Sequence, residues 1–136
     1  MAEPEKIGRR LLEDYFPIKE VSEESSMERG HGHISTFHVW WARRPLAASR
    51  ATIYAALVPG SFTEDSKKQS RFVADLAKLE NSSSALVQKA QELILKANGG
   101  VRPRVLDPFS GGGSIPLEAM RLDCETYAND YNPVSV

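Results

Sequence analysis

The feature that most constrains the fold is a glycine-rich turn within residues 104–120, RVLDPFSGGGSIPLEAM. A short apolar run that ends in Asp-Pro predicts a strand. The pattern after the glycines predicts a helix with Ser114 as its N-cap and Pro116 in its first turn. A second short strand is predicted at residues 125–129. Strand, glycine loop, helix and strand in this order predict one parallel βαβ unit.

The glycine loop predicts a ligand site at the end of the first strand. Glycines allow positive φ angles and close approach of a ligand, and the N-terminal N–H groups of the helix point towards that ligand. In a doubly wound sheet the end of the second strand lies beside this loop, and here it carries Asp130, 19 residues after Gly111. An acid at this position accepts hydrogen bonds from ribose hydroxyls, so the pattern predicts a nucleoside cofactor. The spacing differs from the dinucleotide pattern GxGxxG and from a P-loop, which requires a following Lys.

The motif Asp-Pro-Phe-x-Gly-x-Gly resembles the first S-adenosylmethionine-binding motif of the nucleic-acid amino-methyltransferases. In those enzymes the loop glycines contact the methionine and ribose part of the cofactor, the acid that ends the second strand holds the ribose, and the next side chain covers the adenine ring. The sequence DYNP at residues 130–133 is similar to the D-x-N-P of several of these enzymes. The resemblance implies S-adenosylmethionine as the cofactor and assigns its binding to Asp107, Phe109, Gly111, Gly113, Asp130 and Tyr131.

A second dense group of functional side chains lies in the sequence STFHVWWARRPLAAS. Trp40, Trp41 and Arg43 could stack on bases and bind phosphates in a nucleic acid. The alternative is that the two tryptophans are buried anchors and the arginines pair with acids elsewhere. The pattern His-x4-Arg-Arg-Pro-Leu also resembles the methyltransferase segment that packs beside the methionine end of the cofactor. This resemblance implies that Arg44 and Pro45 contribute to cofactor binding.

Residues 34–58 and 104–136 together resemble large adenine-specific DNA methylase-like proteins of bacteria and archaea, which begin with a domain of unknown function, DUF1156. The resemblance implies a methylase that transfers a methyl group from S-adenosylmethionine to an exocyclic amine of DNA, most simply N6 of adenine. Two other functions remain open. One is methylation of guanine N2 in RNA, because DPFSGGGSIPLEA is also similar to those enzymes. The other is a non-catalytic nucleic-acid-binding or assembly module of a modification or defence complex.

We therefore expect an α/β fold in which a mostly helical region leads into the first βαβ unit of a Rossmann-like, S-adenosylmethionine-dependent methyltransferase. The helical region is expected at residues 1–100, with an insertion at 61–100, and the start of the cofactor-binding domain at 101–136. Pro45, an alanine-rich run and the stop at Pro59-Gly60 predict a helix at 45–57. Apolar periodicity predicts helices at 66–80 and 83–97, and polar composition predicts an exposed loop at 19–32.

The expected methyltransferase is truncated in this chain. Amino-methyltransferases of this kind carry a (D/N)-P-P-(Y/F/W) loop that holds the flipped base, and the chain has no such motif. A sheet of two strands also cannot complete a doubly wound core. We therefore expect an N-terminal fragment that is inactive alone, and we assign no catalytic residue. Its expected partners are DNA, bound by the full-length protein, and the missing C-terminal part or other defence or modification proteins.

Composition and charge exclude several classes of protein. The 17 basic and 18 acidic residues leave a net charge of −1, so there is no global basic field of the kind that drives non-specific nucleic-acid binding. There is no apolar run long enough to span a membrane and no signal peptide, and the single cysteine, Cys124, fits a reducing compartment, so we expect a cytoplasmic protein. His31 and His33 have no cysteine or paired carboxylates nearby in the sequence and predict a polar loop, so no metal site is expected.

Overall fold

The computed structural model describes residues 8–28, 44–62, 65–78, 80 and 84–134. The elements follow in the order α1 (Leu11–Asp14), α2 (Ile18–Met27), α3 (Leu46–Leu57), a 3₁₀ turn (Gly60–Phe62), α4 (Ser66–Ala77), α5 (Ala85–Ala97), β1 (Arg104–Asp107), α6 (Ser114–Arg121) and β2 (Glu125–Ala128). The other helices all contact α3. None of the helices in the described part of the chain is both long and apolar enough to cross a membrane.

Helix α3 lies at the centre of this arrangement because it is apolar on nearly every face. Its sequence, LAASRATIYAAL, consists mostly of small and apolar residues, and a helix without a polar face is stable when neighbours cover it on all sides. Ala51 and Tyr54 are fully buried, and the ring of Tyr54 packs against Phe72 of α4 with 5.4 Å between the ring centroids. The helix predicted at 45–57 is confirmed, with Pro45 immediately before its first residue.

Helices α4 and α5 are confirmed with different boundaries. α4 ends at Ala77 rather than at residue 80. α5 begins at Ala85 rather than at residue 83, because Ser84 is its N-cap and accepts a hydrogen bond from the backbone N–H of Leu86. The predicted apolar stripes of the two helices are buried at Val73, Leu76, Ala90 and Ile94, whereas Leu79 lies outside the described residues.

The end of α5 has the hydrogen-bond pattern of a Schellman motif. The backbone N–H of Gly100 donates to the carbonyl of Leu95 at 2.8 Å, and the N–H of Gly99 donates to the carbonyl of Lys96 at 3.3 Å. Both glycines have positive φ angles, of 66° and 81°. The two glycines of the sequence Asn-Gly-Gly therefore end α5.

The prediction of an exposed loop at 19–32 is wrong in its described part, because Ile18–Met27 forms helix α2. Apolar periodicity does not reveal this helix, since its buried stripe is largely polar. Val21 is followed at helical spacing by Ser25 and Glu28, and all three residues are buried.

Glu28 is buried because it caps helix α3. Its carboxylate oxygens accept hydrogen bonds from the backbone N–H groups of Leu46 at 3.1 Å and Ala47 at 3.4 Å. These N–H groups have no partner within α3, and the N-cap residue Pro45 offers no side-chain acceptor. A negative charge at a helix N-terminus also interacts favourably with the helix dipole. An acid that looks like a surface residue in the sequence therefore joins α2 to α3.

The last elements of the described chain form the predicted parallel unit of strand, helix and strand. β1 and β2 pair in parallel, with Arg104 opposite Glu125 at one end and Asp107 opposite Ala128 at the other. Helix α6 connects the two strands and contacts both of them. The order and the direction of these elements are confirmed.

Helix α6 differs from the prediction at its first residue. Gly113, and not Ser114, is its N-cap, with a φ angle of 77°, and Ser114 is the first helical residue. The prediction is wrong by one residue because the left-handed conformation of Gly113 turns the chain into the helix without a side-chain cap. Pro116 lies in the first turn as predicted, where its missing N–H has no cost.

A fully buried ion pair joins the helical region to the βαβ unit. The side chains of Arg50 of α3 and Glu118 of α6 are 0% exposed, with 2.6 Å between Arg50 Nε and Glu118 Oε2. The Nη2 atom of Arg50 also donates to Oε1 of Glu118 at 3.4 Å. Its Nη1 atom donates to the backbone carbonyls of Leu76 at 3.1 Å and Lys78 at 3.2 Å, at the end of α4. Arg121 of α6 forms a second ion pair with the same carboxylate, so three helices meet at one buried charge pair.

The thiol of Cys124 is buried at the junction between α6 and β2. Cys124 is 8% exposed, and its Sγ atom lies 3.9 Å from the carbonyl oxygen of Leu122. Burial, with a smaller contribution from the carboxylate of Asp123, raises the pKa of Cys124 to about 11. The thiol is therefore protonated at neutral pH.

We expect Arg50→Met to lower the free energy of unfolding by about 3–5 kcal/mol, because it removes the main partner of a buried carboxylate and leaves the carbonyls of Leu76 and Lys78 without this donor. Urea unfolding at neutral pH measures this change. The control is Lys68→Met, which removes an ammonium that is 85% exposed and pairs with Asp65, and which should cost less than about 1 kcal/mol. Equal losses in the two variants would contradict a structural role for the buried pair.

Candidate cofactor site at the glycine loop

A short network of hydrogen bonds holds the loop between β1 and α6. The carboxylate of Asp107, which is 9% exposed, accepts a hydrogen bond from the backbone N–H of Phe109 at 3.1 Å and turns the chain at the end of β1. The backbone N–H of Gly113 donates to the carbonyl of Ser110 at 2.8 Å. Gly111 and Gly113 have φ angles of 50° and 77°, which residues with a Cβ atom adopt only with strain. The conformation of the loop therefore favours glycine at these two positions.

Asp130 brings the end of β2 against this loop, as the βαβ topology predicts. Its Oδ2 atom accepts a hydrogen bond from the backbone N–H of Gly111 at 2.8 Å, and its Oδ1 atom accepts one from the N–H of Asn132 at 2.8 Å. The backbone N–H of Asn129 also donates to the carbonyl of Asp107 at 2.9 Å. The ends of both strands and the glycine loop thus form one hydrogen-bonded unit.

The surroundings of Asp130 keep its carboxylate ionised. The backbone N–H groups of Asn132 and Gly111 bind the charged form and lower the pKa of Asp130 below its ordinary value. A carboxylate has about four acceptor positions, and these two donors use one on each oxygen. Asp130 is half-buried, so its remaining acceptor positions can take hydrogen bonds from a ligand with two neighbouring hydroxyls.

Two exposed aromatic rings lie together at this end of the sheet. Phe109 follows β1 and is 70% exposed, and Tyr131 follows Asp130 and is 91% exposed. Their ring centroids are 6.3 Å apart, and the ring planes differ by 22°. An aromatic surface beside an ionised acceptor fits a ligand that combines a flat ring with a sugar.

The N-terminus of α6 adds backbone donors to the same region. Gly113 provides no side-chain cap, so the N–H groups of Ser114 and Ile115 lack the intrahelical partners that later residues have. A Cβ atom built at Gly113 would meet no atom within 4 Å, so this side of the loop is open space. A ligand can approach the backbone of the loop from that side.

The structure brings six of the residues that the sequence assigns to cofactor binding into this one region: Asp107, Phe109, Gly111, Gly113, Asp130 and Tyr131. It places the other two just before the first residue of α3. Pro45 lines a groove between α2 and α3 together with Phe16 and Ile18. Arg44 is exposed and forms no hydrogen bond or ion pair with another described residue.

The residues predicted to contact nucleic acid, Trp40, Trp41 and Arg43, lie outside the described residues, as do His31 and His33. Within the described ranges, no group of three or more His, Cys, Asp or Glu side chains could hold a metal ion.

Sequence reasoning missed the two residues that connect the site to the rest of the molecule. Arg50 is the one charged residue of the otherwise apolar α3, and Glu118 lies in the apolar stripe of α6, where it is fully buried. An isolated charge within an apolar helical pattern is a signal for a buried ion pair. The sequence alone does not say which acid and which base are partners.

We expect Asp130→Asn to lower the urea midpoint at pH 7 and to lower it by less at pH 3. Because the folded-state pKa of Asp130 lies below its ordinary value of 3.8, the carboxylate contributes stability above that value and loses it as the pH falls through the lower folded-state pKa. Urea unfolding of both proteins across this range measures the difference. The control is Glu92→Gln, at an exposed position of α5, which should match the original chain at both pH values. A difference as large at pH 3 as at pH 7 would exclude the charge of Asp130 as its cause.

We expect Gly113→Ala to lower the free energy of unfolding by about 1–2 kcal/mol, because alanine is strained at a φ angle of 77°. The loss should come from the backbone alone, since the added Cβ atom meets no neighbour within 4 Å. Gly8→Ala is the matched control: its Cβ atom also meets nothing within 4 Å, and its φ angle is not positive. Thermal or urea unfolding should show a lower free energy of unfolding for Gly113→Ala and little change for Gly8→Ala.

Comparison with known proteins gave one family. The family model for DUF1156, proteins of unknown function, matches residues 15–82, which is half of the 136-residue chain. The matched region contains α2, α3 and α4, including Arg50, and the βαβ unit follows it. A comparison with curated proteins and one with solved structures gave no match. Because the family model matches half of the chain, the chain belongs to the DUF1156 family.

Proposed function

We propose that this chain is the N-terminal part of an S-adenosylmethionine-dependent DNA methyltransferase that acts on an exocyclic amine, adenine N6. The observation that supports this function most directly is the position of Asp130. An ionised acid at the end of β2 lies on the glycine loop that follows β1, hydrogen-bonded to Gly111 at 2.8 Å. This is the arrangement in which parallel α/β folds bind the ribose of an adenosine ligand.

The residues of the loop fit S-adenosylmethionine in three respects. The free acceptor positions of Asp130 suit the two ribose hydroxyls. The exposed rings of Phe109 and Tyr131 suit the adenine ring. The open side of the loop at Gly113 gives the ligand access to the backbone N–H groups at the start of α6. When bound, the cofactor supplies an electrophilic methyl group, and these side chains and N–H groups orient it.

The outward face of the sheet supports a larger assembly. Leu106 of β1 and Tyr127 of β2 pair in register, and they are 68% and 49% exposed. Parallel sheets are ordinarily covered on both faces, and two strands do not make a stable sheet alone. We assign the covering of this face, and the catalytic residues, to further strands and helices of the same enzyme. The base-holding loop that amino-methyltransferases need would come with those elements.

A non-catalytic assembly module is the second candidate function. It is favoured by the fact that both oxygens of Asp130 already accept backbone hydrogen bonds, from Gly111 and Asn132. In that case the acid only holds the loop together, and no cofactor binds. A guanine-N2 methyltransferase acting on RNA would share the cofactor site and differ in its product, N2-methylguanine in RNA in place of N6-methyladenine in DNA.

We expect S-adenosylmethionine to bind the folded chain and Asp130→Asn to weaken that binding about tenfold or more, since hydrogen bonds to a charged acceptor are lost. Isothermal titration of both proteins with S-adenosylmethionine measures the two dissociation constants. Glu92→Gln, which removes an exposed acid on α5, should bind as the original chain does.

A folded chain that binds no S-adenosylmethionine would exclude the methyltransferase proposal for these residues and favour the assembly module. Equal binding by the original chain and Asp130→Asn would remove Asp130 from the site.

A further inference from the structure

The buried pair of Arg50 and Glu118 has no part in the cofactor chemistry proposed above. One of its members, Glu118, nevertheless follows the glycine loop closely in the sequence. Glu118 belongs to α6, the helix that starts at the loop, and Arg50 belongs to α3, within the region matched by the DUF1156 family. Both side chains are 0% exposed. The only strong polar link from the family region to α6 among the described residues therefore runs through one guanidinium.

Four hydrogen bonds hold the guanidinium of Arg50 in this position. Its Nε and Nη2 atoms donate to the two oxygens of Glu118, at 2.6 Å and 3.4 Å. Its Nη1 atom donates to the backbone carbonyls of Leu76 and Lys78. Because these partners are buried or partly buried, a movement of Glu118 would leave the charge of Arg50 or one of the two carbonyls without its partner. The pair therefore fixes α6 relative to α3 and to the end of α4.

A shift of α6 would also move the glycine loop, because the two are joined by hydrogen bonds. The helix has eight residues, and its first turn is hydrogen-bonded to the loop through the N–H of Leu117 and the carbonyl of Gly113, at 3.0 Å. Gly113 in turn donates to the carbonyl of Ser110 at 2.8 Å, and Gly111 donates to Asp130 at 2.8 Å. This series of short contacts connects Glu118 to the acid at the end of β2.

We propose that Arg50 is a positioning residue for the glycine loop: acting through Glu118, it fixes α6 and thereby makes the conformation of the loop depend on the helical DUF1156 region. The part of this inference that concerns S-adenosylmethionine affinity rests on the proposed function, and the part that concerns the order of the loop does not. Coupling of this kind is reciprocal, so a ligand that orders the loop also stabilises the packing of α3 on α6.

Arg121 supplies a matched control within the same cluster. It forms an ion pair with the same carboxylate of Glu118, but it lies three residues further along the same helix and is 30% exposed. Removing its guanidinium takes a charge partner from Glu118 and leaves the link between α3 and α6 intact. The same Arg→Lys change at Arg50 and at Arg121 therefore separates positioning of the loop from a general weakening of the contacts to Glu118.

The experiment is residue-resolved hydrogen exchange of the backbone amides in the original chain, Arg50→Lys and Arg121→Lys, without any ligand. Lysine keeps the charge beside Glu118, so the protein should remain folded, but it cannot bind the carboxylate and two carbonyls at once. In Arg50→Lys we expect the amides of Ser110, Gly111 and Gly113 to exchange at least about tenfold faster, relative to the amides in the middle of α5. In Arg121→Lys the same ratio should stay within about twofold of the original value.

Three results would overturn the proposal. The first is an unchanged exchange rate of the loop amides in Arg50→Lys. The second is an increase in exchange rate by the same factor in the loop and in α5. The third is an effect of Arg121→Lys as large as that of Arg50→Lys. If Arg50→Lys does not fold, Glu118→Gln takes its place, because the amide keeps the shape of the side chain and removes the charge. The same acceleration, confined to the loop, is then expected.

Titration with S-adenosylmethionine tests the extension to the cofactor. We expect Arg50→Lys to weaken binding by about three- to tenfold and Arg121→Lys by less than about twofold, because only the first variant disorders the loop. If the original chain binds no S-adenosylmethionine, the proposed function fails while the exchange experiment still decides the role of Arg50. If all three proteins bind it equally, the cofactor site does not depend on this pair.

Discussion

The buried ion pair between Arg50 and Glu118 is the interaction on which the rest of the structure depends. Moving two charges out of water costs several kcal/mol for each ion, and the core offsets this only where every remaining donor and acceptor has a partner. Here those partners come from three helices, through the carbonyls at the end of α4 and the second arginine of α6. An alternative packing of these helices would leave at least one charge unsatisfied. The pair therefore selects one arrangement from the many that an alanine-rich central helix would allow.

A second buried carboxylate works in the same way at the start of α3. Glu28 of α2 accepts hydrogen bonds from the first N–H groups of α3, so the position of one helix determines where the next can begin. Both interior acids join elements, whereas Asp107 and Asp130 are used at the end of the sheet, where a ligand can reach the loop. The buried acids of the helical region thus hold helices together, whereas the acids at the candidate site hold the loop where a ligand can reach it.

Local patterns in the sequence predict much of this fold but little of its interior. The helix at 85–97 follows from apolar periodicity, and the helix at 46–57 follows from the alanine-rich run between Pro45 and Pro59. The contact of Asp130 with Gly111 follows from the way parallel strands end at one edge of a sheet. Helix α2 is missed because polar residues form its buried stripe, and periodicity counts only apolar ones. The pair of Arg50 and Glu118 spans 68 residues. Nothing local distinguishes that partner from the other acids of the chain.

The burial of Cys124 has a practical consequence for following this molecule in solution. Its thiol lies at the far end of α6 from the glycine loop, protonated and shielded, so alkylating reagents should meet an inert group while the junction with β2 stays closed. Each transient opening exposes the thiol and gives it the ordinary ionisation of a cysteine in water. Since the sequence holds no other cysteine, the alkylation rate of the unmodified chain reports how often the junction between α6 and β2 opens.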